Sequence, residues 1–412
     1  MKVLLAPHGT RGDVQPMVAL ALALRARGHV VSFVAPSNFA PWIRSFGFAF
    51  ESDGIDVAGM LRAHGMHFDS MRWQMQYLTR VMIPALFETV PRAMPDAEVI
   101  VGAGVQLAAA SVAEQRGVPY ATAMFCPCAV PSSATPPPTA RTQTFPHWLN
   151  RLLWDVGLPL AGLALLRPLN AGRAALGLPA LAAPFGYLAG HRILVAADRD
   201  LGPLGDDAPE TAVATDAWIL DDTSEAIDES VDRFLDREPP VVYVGFGSMI
   251  EKNAPELASA AIAAVHSVGC RALIGSGWAG LGRDGDSDDD GLLVTDTLPH
   301  GSVFPRVAAV VHHGGAGTTT AAARAGVPQV VLPHILDQFY WAHRVEKMGL
   351  GPRGLPVDLV TADVLAARLD AAVNDERIAA RAAALGRSIA GRDGAPDAVD
   401  QLERLAALHS DR

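Results

Sequence analysis

The sequence Val310-Val-His-His-Gly-Gly-Ala-Gly-Thr-Thr-Thr320 predicts a buried strand, a glycine turn and the first turn of a helix. Its apolar, β-branched start is typical of a strand covered on both faces, and its three glycines let the backbone approach a ligand closely. A helix that begins after such a turn presents unpaired N–H groups and the positive end of its dipole, which together bind anions. His313 adds a donor that need not be charged. The plainer alternative is a well-capped helix with buried histidines.

The composition sets limits on the kind of protein this is. A chain of 412 residues exceeds what one hydrophobic core usually organises, so we expect two domains. Half of the residues are apolar and 19% are charged, which fits a well-packed α/β protein. The net charge of −11 argues against nucleic acid as a partner, because no excess of basic residues is present to neutralise phosphates.

The sequence contains few features that would indicate secretion or membrane insertion. Three cysteines are too few for a disulfide framework and are expected to be buried thiols in a reducing compartment. The chain begins directly with a predicted strand, without a signal peptide. Its longest apolar run, 156–166, is too short to cross a bilayer and contains Pro159. We expect a cytoplasmic enzyme without stable membrane insertion.

The N-terminus predicts a doubly wound sheet. Val3-Leu-Leu-Ala6 is a continuous apolar strand, and the glycine-containing loop His8-Gly-Thr-Arg-Gly-Asp13 follows it. A periodic helix over 14–27 and a strand over 29–35 complete a β-loop-α-β unit. Ligands of such sheets bind beyond the carboxyl ends of the strands, where this loop lies.

Two features of the first half allow two interpretations each. The glycines of the loop do not have dinucleotide-binding spacing, and Asp13 is either an N-cap or a catalytic carboxylate. Between Ile55 and Phe87, methionine and aromatic residues follow no clean period. They form either an adaptable apolar lining for a ligand or an ordinary helix core.

The second half repeats the layout of the first. The segment 198–238 is acidic and rich in Pro, Gly and Asp, after which a strand from Pro240 ends in a glycine-serine turn. Two similar α/β halves predict two facing Rossmann-like domains with a cleft between them. We place the first domain at 1–205, a linker at 206–238, the second domain at 239–385 and a final helix, packing back on the first domain, at 386–412.

Two polar stretches of the second half are candidate ligand sites. Asp337 and Gln338 follow a strand end on the same rim as the glycine turn, and their oxygens and amide suit sugar hydroxyls. Within the acidic tract 284–291, the residues from Asp286 resemble the start of a calcium loop, but the twelfth position counted from Asp286 is Thr297 rather than a bidentate acid. We interpret the tract as a solvated loop.

Several of these motifs resemble a known family. The segments 298–300, 312–318 and 325–328, together with Asp337-Gln338, resemble the donor-binding signature of the UDP-glycosyltransferase superfamily, which has the GT-B fold. The sequence Gly9-Thr-Arg-Gly-Asp-Val-Gln-Pro16 resembles the bacterial sterol, macrolide and glycopeptide branch. The similar layout covers nearly the whole chain.

The resemblance implies roles for individual residues. The first domain would bind the acceptor and the second a nucleotide sugar, with Asp13 as the catalytic base. The implied donor-binding residues are Ser248, Thr297, Leu298, His313, Gly315, Gly317, Thr318, Asp337 and Gln338. The candidate acceptor-binding residues are His8, Met71, Trp73, Met75 and Phe125. Many plant relatives have tryptophan where Thr297 stands, so UDP and dTDP both remain open as the nucleotide.

The resulting hypothesis is an inverting glycosyltransferase without a cofactor or a metal, monomeric or homodimeric. It would move a hexose, glucose or a deoxyhexose, from a UDP- or dTDP-sugar to a hydroxyl of a bulky apolar acceptor. An apolar cleft would raise the pKa of Asp13, and the helix N-terminus would stabilise the leaving diphosphate. The alternatives are a nucleotide-sugar epimerase of the same fold and a non-catalytic binder of hydrophobic ligands.

Overall fold

Two parallel β-sheets, one in each half of the chain, organise this computed structural model, which describes residues 1–64, 71–222, 226–249, 254–277, 290–296 and 298–410. The strands of the first sheet are β1 (Lys2–His8), β2 (Val30–Ala35), β3 (Ala49–Ser52), β4 (Val99–Gly104), β5 (Tyr120–Met124), β6 (Arg192–Val195) and β7 (Ala212–Ala214). Those of the second are β8 (Val241–Gly245), β9 (Arg271–Gly275), β10 (Leu292–Thr295), β11 (Ala309–His312) and β12 (Gln329–Val331).

Helices cover the faces of both sheets. Those of the first half are α1 (Arg11–Ala26), α2 (Ala40–Ser45), α3 (Val57–His64), α4 (Met71–Tyr77), α5 (Ile83–Thr89), α6 (Ala109–Arg116), α7 (His147–Leu152), α8 (Leu158–Ala175) and α9 (Pro184–Ala189). The remaining ones are α10 (Glu229–Leu235), α11 (Ala254–Ser267), α12 (His300–Val303), α13 (Ala316–Ala325), α14 (Gln338–Met348), α15 (Ala362–Asn374), α16 (Glu376–Ile389) and α17 (Ala395–Ser410).

The strand order confirms the predicted pair of doubly wound sheets. The first sheet runs β3-β2-β1-β4-β5-β6-β7 and the second β10-β9-β8-β11-β12, with parallel pairing throughout. The order reverses between β1 and β4 in one sheet and between β8 and β11 in the other. Such switch points are where open α/β sheets bind ligands, at the carboxyl ends of the strands. Each half therefore offers one such position.

The predicted linker, 206–238, belongs partly to each domain. Residues 212–214 form β7 and pair with β6, so the first sheet extends beyond the predicted boundary at 205. Helix α10 packs through Val231 and Phe234 into the core of the second sheet. The three-residue strand is only half-buried, and its sequence is too short to show a period of two.

An apolar cluster joins the two domains. It contains Cys126 and Val195 from the first half and Val331, Trp341 and Leu385 from the second. A buried ion pair lies beside it. The Arg324 guanidinium donates to the Asp198 carboxylate at 2.8 Å, and Asp198 is completely buried. The three cysteines are buried and form no disulfide.

The end of the chain returns to the first domain. Helix α16 extends to Ile389 and packs in the interdomain cluster, so the predicted division at 385 falls inside this helix. Helix α17 lies against α1, with Val399 and Leu402 fully buried in the core of the first sheet. Glu403 accepts hydrogen bonds from Arg27 and His29, which fixes the helix from its polar side.

One helical segment, 147–175, is long and apolar enough to cross a membrane, judged by length and composition alone. It consists of α7, a π-helical turn (Leu153–Gly157) and α8, and only 22% of its most apolar window is buried. Leu165 and Leu169 anchor one face of α8 in the core of the first sheet. The sequence analysis judged membrane crossing on the apolar run 156–166 alone, which is shorter than this helical segment.

The α1–α17 contact leads to a stability prediction. Leu402→Ala should lower the free energy of unfolding by about 2–4 kcal/mol, because it leaves a cavity in the core of the first sheet. Leu408→Ala on the same helix is the matched control, since Leu408 is exposed and should have little effect. Urea denaturation measures both. Equal effects of the two substitutions would contradict the proposed anchoring of α17.

Candidate functional site

The first half of the site is the turn between β1 and α1, where Asp13 lies. The helix begins at Arg11 with Thr10 as its N-cap, three residues earlier than the sequence predicted. Asp13 is therefore not the N-cap but the third residue of the helix. Its Oδ2 accepts hydrogen bonds from the Thr10 amide at 2.7 Å and from the Thr10 hydroxyl at 3.3 Å, closing a capping box.

Two glycines allow the Asp13 carboxylate to lie against the backbone. A Cβ at Gly9 would overlap Oδ2, and a Cβ at Gly104 would lie 2.9 Å from Oδ1. Gly104 ends β4 with φ +66°, so a side chain there would be strained as well as obstructed. The carboxylate thus sits at the first switch point. Thr10 engages only Oδ2, which leaves Oδ1 for other partners.

The charge state of Asp13 depends on its surroundings. Desolvation in the cleft raises the pKa of Asp13, and the Thr10 amide and His8 act in the opposite direction. His8 is 3% exposed, and its Nδ1 lies 2.6 Å from Oδ2 of the fully buried Asp53. His8 therefore presents almost no surface to an acceptor, unlike its predicted role. It affects the site through the electrostatics of Asp13.

The second half of the site is the turn between β11 and α13. Gly314 has φ +89° and packs against Val331, and Gly315 is an N-cap without a side-chain hydrogen bond. A Cβ at Gly317 would meet no atom within 4 Å, so the first turn of α13 faces open space. The Thr319 hydroxyl donates back to the Gly315 carbonyl at 2.9 Å. The helix begins at residue 316, two residues before the predicted Thr318.

Two neighbouring histidines in this turn are neutral. The Gly314 amide donates to Nδ1 of His312, so Nε2 carries the proton and donates to Gln329 at 3.0 Å. Burial lowers the pKa of His312 to about 4. Burial, and then the neighbouring His312, lower the pKa of His313 well below its usual value. Within the described ranges, Nδ1 of His313 is buried without a hydrogen-bond partner.

Asp337 faces Asp13 from the second domain. Leu336 precedes it with a left-handed φ of +51°, and Asp337 is the N-cap residue of α14 without making a capping hydrogen bond. Desolvation, and next the charge of Asp13, raise the pKa of Asp337 to about 7. An N-cap carboxylate that leaves its own helix uncapped and approaches a second carboxylate is characteristic of a functional position.

Gln338 is more constrained than predicted. Its carboxamide oxygen accepts from the His334 amide at 2.8 Å and the Ile335 amide at 3.1 Å, and its nitrogen points to Met249 at 3.4 Å. These contacts shape the turn that carries Asp337. The side chain is 6% exposed, so it offers a ligand little surface in this state.

Most of the candidate donor-site residues lie at the carboxyl ends of the two sheets. Asp13, His313, Gly315, Gly317, Thr318, Asp337 and Ser248 lie in loops or first helical turns at the carboxyl ends of the two sheets. Leu298 is half-buried and packs on the core of the second sheet. Thr297 and the acidic residues 284–289 lie outside the described residues.

The predicted acceptor residues do not form one lining. Trp73 stacks on Tyr77 with ring centroids 5.4 Å apart, and Met75 lies in a groove against α8. Phe125 packs edge-to-face on Trp218, with the core on the opposite face of the sheet. Nothing is described for the side chain of Met71. The methionine-rich stretch is thus partly helix core, one of the two interpretations that the sequence allowed.

Sequence reasoning missed a cation and a histidine that meet at the cleft. Burial lowers the pKa of His300 to about 4, and the charge of Arg11 contributes in the same direction. Arg11 is exposed in the first turn of α1 and stacks over Trp42. Its signal was its place in the loop next to Asp13, where a cation can serve an anionic ligand.

Comparisons with known proteins agree with this arrangement. Residues 3–134 match the family described as "Glycosyltransferase family 28 N-terminal domain", and residues 285–405 match "Erythromycin biosynthesis protein CIII-like, C-terminal domain". Glycosyltransferase GtfE of Amycolatopsis orientalis is 38% identical over 85% of each chain. Vancomycin aglycone glucosyltransferase of the same organism is 37% identical over 94% of this chain and 93% of its own.

A solved structure has the same fold. Glycosyltransferase VinC, crystallised in complex with dTDP, superimposes with a TM-score of 0.70 and 20% identity, covering 99% of this chain and all of its own. Fold and relatives together define a glycosyltransferase of the GT-B fold. The chain belongs to the UDP-glycosyltransferase superfamily, in its bacterial sterol, macrolide and glycopeptide branch.

The raised pKa of Asp337 predicts a pH-dependent stability. The pKa of the Asp337 carboxyl is about 7 in the folded protein, and its ordinary value is 3.8. The folded state is therefore most stable, as far as this group is concerned, below pH 4, where the carboxyl is protonated in both the folded and the unfolded state. That contribution is lost as the pH rises to 7. Urea denaturation between pH 4 and 8 should show a loss of stability that is smaller in Asp337→Asn. Asp206→Asn, in an exposed loop, is the control and should follow the unmodified protein. Identical curves for all three proteins would contradict the shift.

Proposed function

We propose that this glycosyltransferase is inverting and moves a hexose from a UDP- or dTDP-sugar to a hydroxyl of a bulky apolar acceptor. One observation carries the proposal. Asp13, a carboxylate with a raised pKa, lies at the carboxyl end of the first sheet, and the uncapped N-terminus of α13 lies at that of the second. The charge of Asp13 also raises the pKa of Asp337 in the second domain. A base and an anion site that face each other are what transfer from a nucleotide sugar requires.

The donor diphosphate would lie over the first turn of α13. The N–H groups of this turn have no partners within the helix, and the space above Gly317 is open. Neutral His313 would donate one ring N–H to a phosphate oxygen, with Ser248 and Thr318 supplying hydroxyls. Leu298, and Thr297 beyond the described residues, would contact the base. VinC, which has the same fold, is in complex with dTDP, which supports a nucleoside diphosphate as the donor's leaving group and leaves the choice between UDP and dTDP open.

The sugar would lie between Asp337 and Asp13. Asp337 would accept hydrogen bonds from sugar hydroxyls, which stabilise its ionised form and thereby lower its pKa. Gln338 would mainly hold the turn that presents Asp337, because its oxygen is already occupied by two amides. This refines the role that the family resemblance assigned to the pair.

The chemical step is a single displacement. Oδ1 of Asp13 would take the proton of the acceptor hydroxyl while the acceptor oxygen forms a bond to the anomeric carbon. The bond from that carbon to the phosphate oxygen breaks, and its electron pair leaves with the nucleoside diphosphate. Attack opposite to the leaving group inverts the anomeric centre. The dipole of α13 and its amide groups would stabilise the growing negative charge in place of a metal ion.

The acceptor class rests on the relatives. One of them is named for the vancomycin aglycone, a bulky natural product, and this chain is 37% identical to it. In this protein the stacked pair Trp73 and Tyr77 offers a half-buried aromatic surface in the first domain. Both are consistent with a large, mostly apolar acceptor rather than with a second small sugar.

Release of nucleoside diphosphate tests the proposal. UDP- and dTDP-sugars are incubated with a panel of hydrophobic alcohols, and the product is analysed by mass spectrometry and by NMR of the anomeric proton. We expect acceptor-dependent release, an inverted linkage and unchanged rates in excess chelator. Asp13→Asn should lower kcat at least about 1000-fold with nearly unchanged donor affinity, because the amide cannot accept the proton. Transfer by this variant at the normal rate would remove Asp13 from the mechanism.

Gly317→Ala tests the diphosphate position separately from the fold. A methyl group there meets no protein atom, so the substitution should stabilise α13 by about 0.5–1 kcal/mol. If a diphosphate lies over this turn, nucleotide affinity should fall by about tenfold or more. Gly186→Ala in α9, also exposed and unobstructed, is the matched control and should leave nucleotide affinity unchanged. Calorimetric titration measures affinity, and thermal unfolding measures stability.

A further inference from the structure

A row of exposed apolar side chains runs along the outer face of the helical segment 147–175. We call it the apolar stripe. Its members are Trp148, Leu152, Val156, Leu160 and Leu163, and each is between 47% and 68% exposed. The row is about 22 Å long at the rise of an α-helix. A contiguous row of large apolar groups on a protein surface marks an interaction site rather than chance exposure.

A π-helical turn keeps the apolar stripe on one side of the helix. The first four members are spaced by four residues, and in a regular α-helix each such step drifts by about 40°. The turn Leu153–Gly157 has a wider winding, which removes part of this drift in the middle of the row. The last step, from Leu160 to Leu163, is three residues long. It falls short of a full turn and so rotates the row back, opposite to the drift of the four-residue steps. The sequence and the turn together align the row.

The opposite face of the helix is fixed to the domain. Leu165 and Leu169 are buried in the core, and Gly172 packs so closely on Phe87 that a Cβ would overlap the ring. Arg173 is also buried, in an ion pair with Glu114 at 2.8 Å. These contacts hold the helix to the domain. They favour a partner that lies along the apolar stripe over insertion of the whole segment across a membrane.

A groove continues from the apolar stripe between α8 and the segment α4–α5. Its volume is about 750 Å³, and its apolar lining includes Met75, Pro84, Phe87, Pro168 and Ala171. That volume is within the range of small-molecule sites. Arg80 and Arg167 lie at the groove, and a second π-helical turn, Leu78–Met82, carries Arg80. π-Helical turns are found mostly at functional sites.

The two arginines distinguish between possible occupants. Within the described ranges, neither Arg80 nor Arg167 has a carboxylate within 4.0 Å. The nearby acids are already engaged, Asp155 with Arg151 at 2.8 Å and Glu88 with Arg92 at 3.3 Å. A second copy of the chain that docked through the same face would therefore bring only carboxylates that already have arginine partners. Phosphate groups beside an apolar layer complement two arginines that have no carboxylate partner among the described residues and lie next to an apolar row.

We propose that the apolar stripe and its groove dock this protein onto the surface of a phospholipid bilayer. The apolar stripe would enter the boundary between head groups and acyl chains, with Trp148 at one end of the row. Arg80 and Arg167 would contact lipid phosphates, and the groove would accept part of one acyl chain. Binding would be reversible and peripheral, and it does not involve the donor site proposed above.

Flotation with vesicles tests the proposal on the full chain. One set of vesicles is pure phosphatidylcholine. The other contains about 30% phosphatidylglycerol, which gives the membrane a negative surface charge. We expect binding to both, stronger to the anionic set. The variant Leu152→Ser/Leu160→Ser/Leu163→Ser should lower the bound fraction at least about tenfold on both sets. Arg80→Gln/Arg167→Gln should remove the preference for anionic lipid while retaining the binding to phosphatidylcholine.

Matched controls separate docking from general stickiness. Leu359→Ser/Leu408→Ser replaces two equally exposed leucines elsewhere, and Arg387→Gln removes an exposed helical arginine. Both should bind vesicles like the unmodified protein, and all variants should keep its nucleotide affinity. Failure of the unmodified protein to bind either set would overturn the proposal. So would a dimer in analytical ultracentrifugation that the serine variant dissociates, because the face would then bind a second copy.

Discussion

The buried contact between the two domains is the constraint on which the site depends. Neither sheet alone forms the candidate site, because Asp13 belongs to one and the glycine turn of α13 to the other. The Arg324–Asp198 pair connects the far end of α13 itself to the loop after β6. This pair lies beside the apolar interdomain cluster. Separating its two side chains would leave a buried charge without its partner, which is costly. Helix α13 is therefore held in register with the first domain.

The cleft that results has an unusual balance of charge. Its histidines are neutral because burial lowers their pKa, whereas its two carboxylates have raised pKa values and approach each other. Without a ligand, the helix N-termini and Arg11 supply the positive potential. A bound diphosphate would favour protonation of the histidines, and hydroxyls of a sugar would favour ionisation of Asp337. Ligand binding and proton binding would thus be coupled in this cleft.

The features that could be predicted from sequence are local ones. The apolar run at β1 and the glycines after β11 determine strand, turn and helix over a few residues, and these indicated the correct sheet type and both loops. The role of Asp13 could not be settled locally, because it depends on where α1 begins and on Gly104, which lies more than ninety residues away in the chain. The candidate site residues remain predictions about function, although the fold places most of them around one cleft.

Failures of sequence reasoning have a common physical cause. Three features depend on which distant parts of the chain pack against a segment. They are the burial of His8 against Asp53, the hydrogen bonds from two amides to Gln338, and the exposure of the apolar stripe. A composition-based test sees the apolar residues of 147–175 but not that one face is already covered. The same holds for β7, whose three residues become a strand only because β6 offers an edge.

The path of α17 has a consequence for anyone recombining enzymes of this kind. Because α17 covers α1, the N-terminal module is discontinuous and includes α17 as well as the residues before the linker. A chimaera joined at a single crossover in the linker would pair α1 of one parent with α17 of another. A hybrid that exchanges the N-terminal half and the terminal helix as one set would keep that interface native and needs two junctions, the second between α16 and α17.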